Sequence, residues 1–193
     1  SLKRVQKSGA RFDEKRLLWL NGAHIRNIPV DKLYNYVSPW GDNPQKDGGQ
    51  TGFWPESAYT PNITKEYRMK VLALAQDRLK MFEDLRGFGY FFAEPEINME
   101  LIDGNKQLKK LSGSERRELL ETARAELAKL AGWTPESIQN CLNKLLEITG
   151  QKPGILFSLI RIAVTWAPFS PQLNDTLALI GRERTMARLQ NSI

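Results

Sequence analysis

From Ser114 onward the sequence repeats one device: a hydroxyl side chain able to cap a helix, an apolar run at helical spacing, and a stop. Ser114 precedes ERRELLETARAELAKLAG, and Thr134, with Pro135 at the first helical position, opens ESIQNCLNKLLEITG, which Gly150 closes. A further helix runs from about Gly154 to Trp166, Ser170 and Pro171 repeat the cap, Gly181 ends the next helix, and RERTMARLQNS completes the chain. A capping hydroxyl accepts from a first-turn amide that has no carbonyl partner, and a proline at that end forfeits no hydrogen bond. No alternating pair of apolar runs joined by a hairpin turn stands out anywhere. The chain is therefore predicted to be all-α.

The first half carries weaker punctuation. Asp13 is placed to cap RFDEKRLLWLNG, with Leu17, Leu18 and Leu20 as its apolar face and Asn21-Gly22 as its stop. IPVDKLYNYVSPW predicts a second short helix ended by Ser38-Pro39, since the residue before a proline is pushed out of helical geometry. Residues 41–62, rich in Gly, Pro, Asn and Asp, read as a long loop. Its Phe53, Trp54 and Tyr59 serve either to pin it down or, with Trp40, to stack bases. From Ile63 a long amphipathic helix is expected, with Tyr67, Val71, Leu74, Leu79 and Phe82 near a 3.6 period, ending at RGFGYFF. Pro95, Gly104 and Gly113 punctuate residues 93–113, which read as the joint between two helical subdomains, 1–100 and 101–193.

Composition removes several function classes. Among 193 residues there is one cysteine, Cys141, and one histidine, His24, so no intramolecular disulfide and no multi-cysteine or two-histidine metal site is expected. No metal ligand set, cofactor motif or catalytic group is assigned. GFGYFF lacks the Lys-Ser/Thr ending of a phosphate loop. No stretch approaches the roughly 20 apolar residues of a membrane span, and a soluble protein of the cytoplasm or an organelle matrix is expected, most simply a monomer. The net charge of +6 is unevenly spread: residues 1–40 hold eight Lys or Arg against three acids, and residues 151–193 hold five against two. Basic ends around a slightly acidic middle suit a polyanion, because each neutralised phosphate releases counterions.

One residue breaks the pattern of its helix. Ser158, Arg161 and Thr165 fall on one face of SLIRIAVTW, while Ile155, Leu156, Leu159, Ile160, Ala163, Val164 and Trp166 suit burial over most of the rest. A desolvated guanidinium costs several kcal/mol unless it is paired. Arg161 thus either snorkels or ties helices together through an acid such as Glu147 or Asp175, or grips an anion or a base edge at the mouth of a pocket. Arg182, Arg184 and Arg188 on the last helix read as phosphate contacts or as a solvated face, and His24 as a packing or capping residue.

LIRIAVTWAPFSPQLNDTLALIGRERTMARL resembles the closing segment of bacterial and organellar glutamyl-tRNA synthetases, in which an arginine in a helix precedes a Thr, a Ser/Thr-Pro step and a TLALLGKER-like helix. RFDEKRLLWLNGAHIR resembles the signature that follows that family's catalytic half, so the likeness spans nearly the whole chain. The resemblance implies an all-helical anticodon-binding cage in two subdomains, with the anticodon loop of tRNA(Glu) as partner. It also implies a preceding catalytic domain that uses ATP and magnesium. Arg161 matches the family's anticodon-reading arginine, and Ser170, Pro171 and Leu173 match its Thr-Pro-x-Leu contact turn, with Gln172 where Gly is common. AQDRLKMFEDL resembles the ERLKTLKEL run and places Arg78 at the arginine associated with the last anticodon letter, with a one-residue gap before YFF. Neither HIGH nor KMSKS occurs, so no ligase activity is expected of this chain alone. A helical protein-interaction module docking through its aromatic loop is the alternative of a different class.

Overall fold

The computed structural model describes residues 13–39 and 52–192, and none of these lies in a strand. Helices α1 (Glu14–Asn27), α2 (Val30–Val37), α3 (Lys65–Ala75), α4 (Glu100–Asp103), α5 (Gly113–Ala128), α6 (Pro135–Thr149), α7 (Pro153–Thr165), α8 (Leu173–Ile180) and α9 (Arg182–Asn191) follow in order. Tighter 3-10 turns lie at Glu56–Tyr59, Gln76–Arg78, Phe82–Phe91 and Leu108–Lys110. The all-α expectation holds. Trp40, residues 41–51 of the segment expected to be a loop, and the residues before Asp13 fall outside the described residues.

Capping chemistry explains where several helices begin. The Asp13 carboxylate accepts from the Arg16 amide at 3.1 Å, and Thr134 accepts from Ser137 ahead of Pro135, with Gly150 ending α6 at φ 65°. Two of the expected caps move. Ser112 rather than Ser114 caps α5, because only from 112 does Glu115 fall three residues on, where its carboxylate accepts from the Ser112 amide at 2.7 Å. Helix α8 starts at Leu173 without a side-chain cap, since the Ser170 hydroxyl is engaged elsewhere.

Helix α1 departs from its reading in both length and facing. It continues past Asn21-Gly22 to Asn27 and buries Gly22 and Ile25, while Leu17 and Leu20 are exposed and Trp19 is 65% exposed. Gly22 is a crossing point instead of a stop: a Cβ there would lie 3.2 Å from the Leu79 carbonyl oxygen. His24 is exposed in the last turn of α1.

The long helix expected from Ile63 is broken. It runs only to Ala75, tightens through Gln76–Arg78, and turns extended at Leu79 (φ −74°, ψ 132°). Polar side chains satisfy the backbone groups that such a break exposes, which apolar periodicity does not register. The Gln76 amide donates to the carbonyls of Ile25 and Ile28, both at 2.7 Å, joining the break to the end of α1. The Asp84 carboxylate accepts from the amides of Lys80 at 2.7 Å and Met81 at 3.0 Å. Leu79 and Leu85 stay buried on either side. The segment 93–113 is largely irregular, with α4 as its short helical stretch.

Buried apolar side chains from Ile25 to Leu189 form one cluster. Trp54 is part of it, its indole donating to the Ser38 hydroxyl at 2.8 Å, while Phe53 sits edge-on to Phe82 and Tyr59 lies against the Arg68 guanidinium. The described loop aromatics pin the loop, and the buried Trp54 offers no face for a base.

The arginines of α9 are neither a solvated face nor free for phosphate. Arg188, 3% exposed, donates to the carbonyls of Val164, Tyr90 and Ala93 and to the Glu94 carboxylate. Arg184 joins the same segment through Phe91 and Glu94, and Arg182 caps α5 by donating to Leu130 and Ala128. The carbonyls at the end of the Phe82–Phe91 turn and just beyond it have no helical partners, and the guanidinium forks satisfy them.

Candidate nucleic-acid interface

Helix α7 is apolar over most of its circumference, with Leu156, Leu159, Ile160, Ile162, Ala163 and Val164 buried, and Arg161 emerges half-buried among them. An elbow fixes the Arg161 side chain. Thr165 donates back to the Arg161 carbonyl at 2.9 Å, and its oxygen accepts from the Ala167 amide at 3.3 Å. Trp166 then turns left-handed (φ 43°, ψ 38°), and Pro168 and Pro171 restrict the chain that follows. This path returns the Ser170 hydroxyl to α7, where it accepts from Arg161 Nε at 2.8 Å and donates to the Pro171 carbonyl at 3.0 Å.

One edge of the guanidinium is thereby committed and the other is not. Among the described residues neither Glu147 nor Asp175 pairs with Arg161, and its terminal nitrogens make no hydrogen bond. Its electrostatic surroundings are unfavourable to a cation: burial lowers its pKa, the charge of Arg78 lowers it further, and Tyr90 opposes them. Arg78, exposed at the end of the Gln76–Arg78 turn, has no ion-pair partner among the described residues. The charge of Arg78, from a distant part of the chain, therefore acts on Arg161, and neither arginine has an ion-pair partner among the described residues. Such a site is favourable to an anion or to a polar edge with several acceptors.

The other expected contact residues lie inside. Ser170, Pro171 and Leu173 are buried and form the elbow that orients Arg161. Two neighbours escaped sequence reading. Tyr90 is buried beside Arg161, its phenol pushed up in pKa by burial and its hydroxyl without a partner. Phe169, one residue before Ser170, keeps 44% of its surface exposed. Both signals were present in GFGYFF and PFSP, but nothing in their spacing joins them to α7. Cys141 is buried, which raises its thiol pKa, and no group of three His, Cys, Asp or Glu able to hold a metal occurs among the described residues.

Fold and site define an all-α module with a half-buried arginine whose terminal nitrogens make no hydrogen bond among the described residues. Residues 32–193 match the family model for the anticodon binding domain, and the chain belongs to that family. It is 33% identical to a glutamate-tRNA ligase of Roseiflexus sp. (strain RS-1) over 98% of its own length and 35% of that enzyme's. It is 30% identical to the glutamate-tRNA ligase of Chloroflexus aurantiacus over 100% of this chain and 37% of the enzyme. The chain thus spans little more than a third of the curated relatives it matches. A crystal structure of a glutamate tRNA ligase from Elizabethkingia meningosepticum shares the fold (TM-score 0.68, 20% identity, 100% of this chain and 34% of that one).

Proposed function

We propose that this chain is the anticodon-reading portion of a glutamate-tRNA ligase, holding the anticodon loop of tRNA(Glu) for a catalytic portion that uses ATP and magnesium. The observation that carries this reading is Arg161 half-buried in an apolar helix, its Nε held by the Ser170 hydroxyl at 2.8 Å and its terminal nitrogens without a hydrogen bond among the described residues. Unstacked loop bases present their edges to such donors. Arg161 and Arg78 make base contacts, while Ser170, Pro171 and Leu173 shape the groove through the elbow. The work is done by a single copy in two subdomains, 1–100 and 101–193, in the cytoplasm or an organelle matrix; no helix among the described residues is long and apolar enough to cross a membrane.

Titration of a labelled glutamate anticodon stem-loop at two salt concentrations tests it. Affinity is expected to fall as salt rises, by about 0.7 logarithmic units per unit of log salt for each single-strand phosphate neutralised. Salt-independent binding, or none, refutes the reading. Arg78→Gln is expected to relax discrimination at the last anticodon letter, measured with stem-loops bearing C or G there, and an unchanged preference removes that role. Ser170→Ala should weaken binding by about 0.5–1.5 kcal/mol through loss of one positioning hydrogen bond, and Ser170→Thr should restore it. A Thr variant as weak as Ala would show that the hydroxyl does not set Arg161.

A further inference from the structure

We propose that Phe169 is a stacking platform for the nucleobase whose edge Arg161 reads, an inference that rests on the anticodon reading above. The side chain stands out of the protein at an energetic disadvantage: it is a large apolar ring, 44% exposed, next to a residue whose hydroxyl holds Arg161 Nε at 2.8 Å. Its position is fixed in advance. The ring meets the buried Phe88 edge-to-face, with centroids 5.7 Å apart and planes at 73°. Gly87 lies beneath it, where an added Cβ would come within 3.3 Å of Phe169 Cζ, so the bare glycine lets the ring settle against the turn. Pro168 lies before it and Pro171 two residues after, limiting the backbone freedom that binding would otherwise have to remove.

The surroundings narrow the assignment. Phe88 and Tyr90 are buried and offer no face to a ligand, the loop residue Trp54 is sealed into the core, and Phe157, one turn before Arg161, is partly buried against it. Phe169 combines an available ring with a place on the elbow that orients the guanidinium. A flat ring and a planar donor fork at adjacent positions suit a flat ligand with acceptors on its rim, which is what an unstacked base offers. Stacking on a ring is tolerant of base identity, so Phe169 supplies affinity and Arg161 supplies choice.

The test uses the whole chain and a glutamate anticodon stem-loop, together with three versions each made abasic at one anticodon position. Arg161→Ala identifies the base that Arg161 reads, as the position where removing the base abolishes the difference between wild type and variant. Phe169→Leu, which keeps apolar contact with Phe88 but has no aromatic face, is expected to lose about tenfold in affinity for the intact stem-loop. Phe169→Trp should retain wild-type affinity, and the Phe169→Leu loss should vanish on the stem-loop abasic at the Arg161 position alone. Phe169→Leu binding within twofold of wild type, while Arg161→Ala is weakened, overturns the platform and leaves the anticodon reading standing. A Phe169→Leu loss that is equal on all three abasic stem-loops also overturns it, because it marks a general defect. Absence of stem-loop binding by the wild type overturns both.

Discussion

Arg161→Ala is expected to weaken binding of the cognate anticodon stem-loop by about 1–3 kcal/mol, the range for a good bidentate contact to a base. The effect follows from which nitrogens are free. Nε is spent on Ser170, so the terminal nitrogens are the available donors, and alanine removes both. Stability should fall by no more than about 1 kcal/mol, because the Ser170 hydroxyl loses the donor it accepts from but keeps its own bond to the Pro171 carbonyl. Arg161→Lys should fail to restore affinity, since an ammonium carries charge but lacks the planar fork. Equal affinity of wild type and Arg161→Ala for the stem-loop, measured at one salt concentration, would refute the assignment of the reading head.

Arg188→Met should damage the fold, with an expected loss of about 2 kcal/mol in urea denaturation. Methionine keeps an unbranched apolar stem but leaves the Val164 carbonyl without its donor and the carbonyls of Tyr90 and Ala93 with only the longer bonds from Arg184. Each acceptor left buried and unsatisfied costs about 1–3 kcal/mol. A loss below about 1 kcal/mol would show that other groups satisfy them. The same network makes stability pH-dependent. The hydrogen bond from Arg188 is the main cause holding the Glu94 carboxyl below the usual carboxylate range, so the native state binds its proton less readily than the unfolded chain does. That contribution is complete above the unfolded pKa and is lost as pH falls through the lowered native value. A Glu94→Gln variant should therefore lose less stability than wild type between neutral and acid pH, and parallel curves would contradict this.

Helix punctuation was legible where one strong signal acted alone. Thr134, Pro135 and Gly150 bounded α6 from the sequence, and Asp13 opened α1. It was ambiguous where two residues competed, as Ser112 and Ser114 did, until the distance to Glu115 is counted. The break at Arg78 was illegible for a different reason: Leu79 and Phe82 keep helical spacing, and the groups that stabilise the break, Gln76 with α1 and Asp84 with Lys80, act through polar bonds that periodicity cannot weigh. The outward face of α1 misled because Leu17, Trp19 and Leu20 are apolar yet exposed.

At the site, Arg161 and Arg78 were each visible as residue types at suggestive positions. The reach of the Arg78 charge to Arg161 was not, since it depends on tertiary placement. Ser170, Pro171 and Leu173 were legible as a motif, but their burial shows that the motif organises a turn. The α9 arginines were read from charge alone, and charge does not reveal which carbonyls lie within reach.

Trp166 places its own demand on the chain. A residue with positive φ tolerates glycine or asparagine but strongly disfavours side chains branched at Cβ, whatever their polarity. A library diversified at 166 should thus be sorted by backbone handedness before ring chemistry has any say: valine, isoleucine and threonine drop out together, and survivors share a tolerance for the reversed twist.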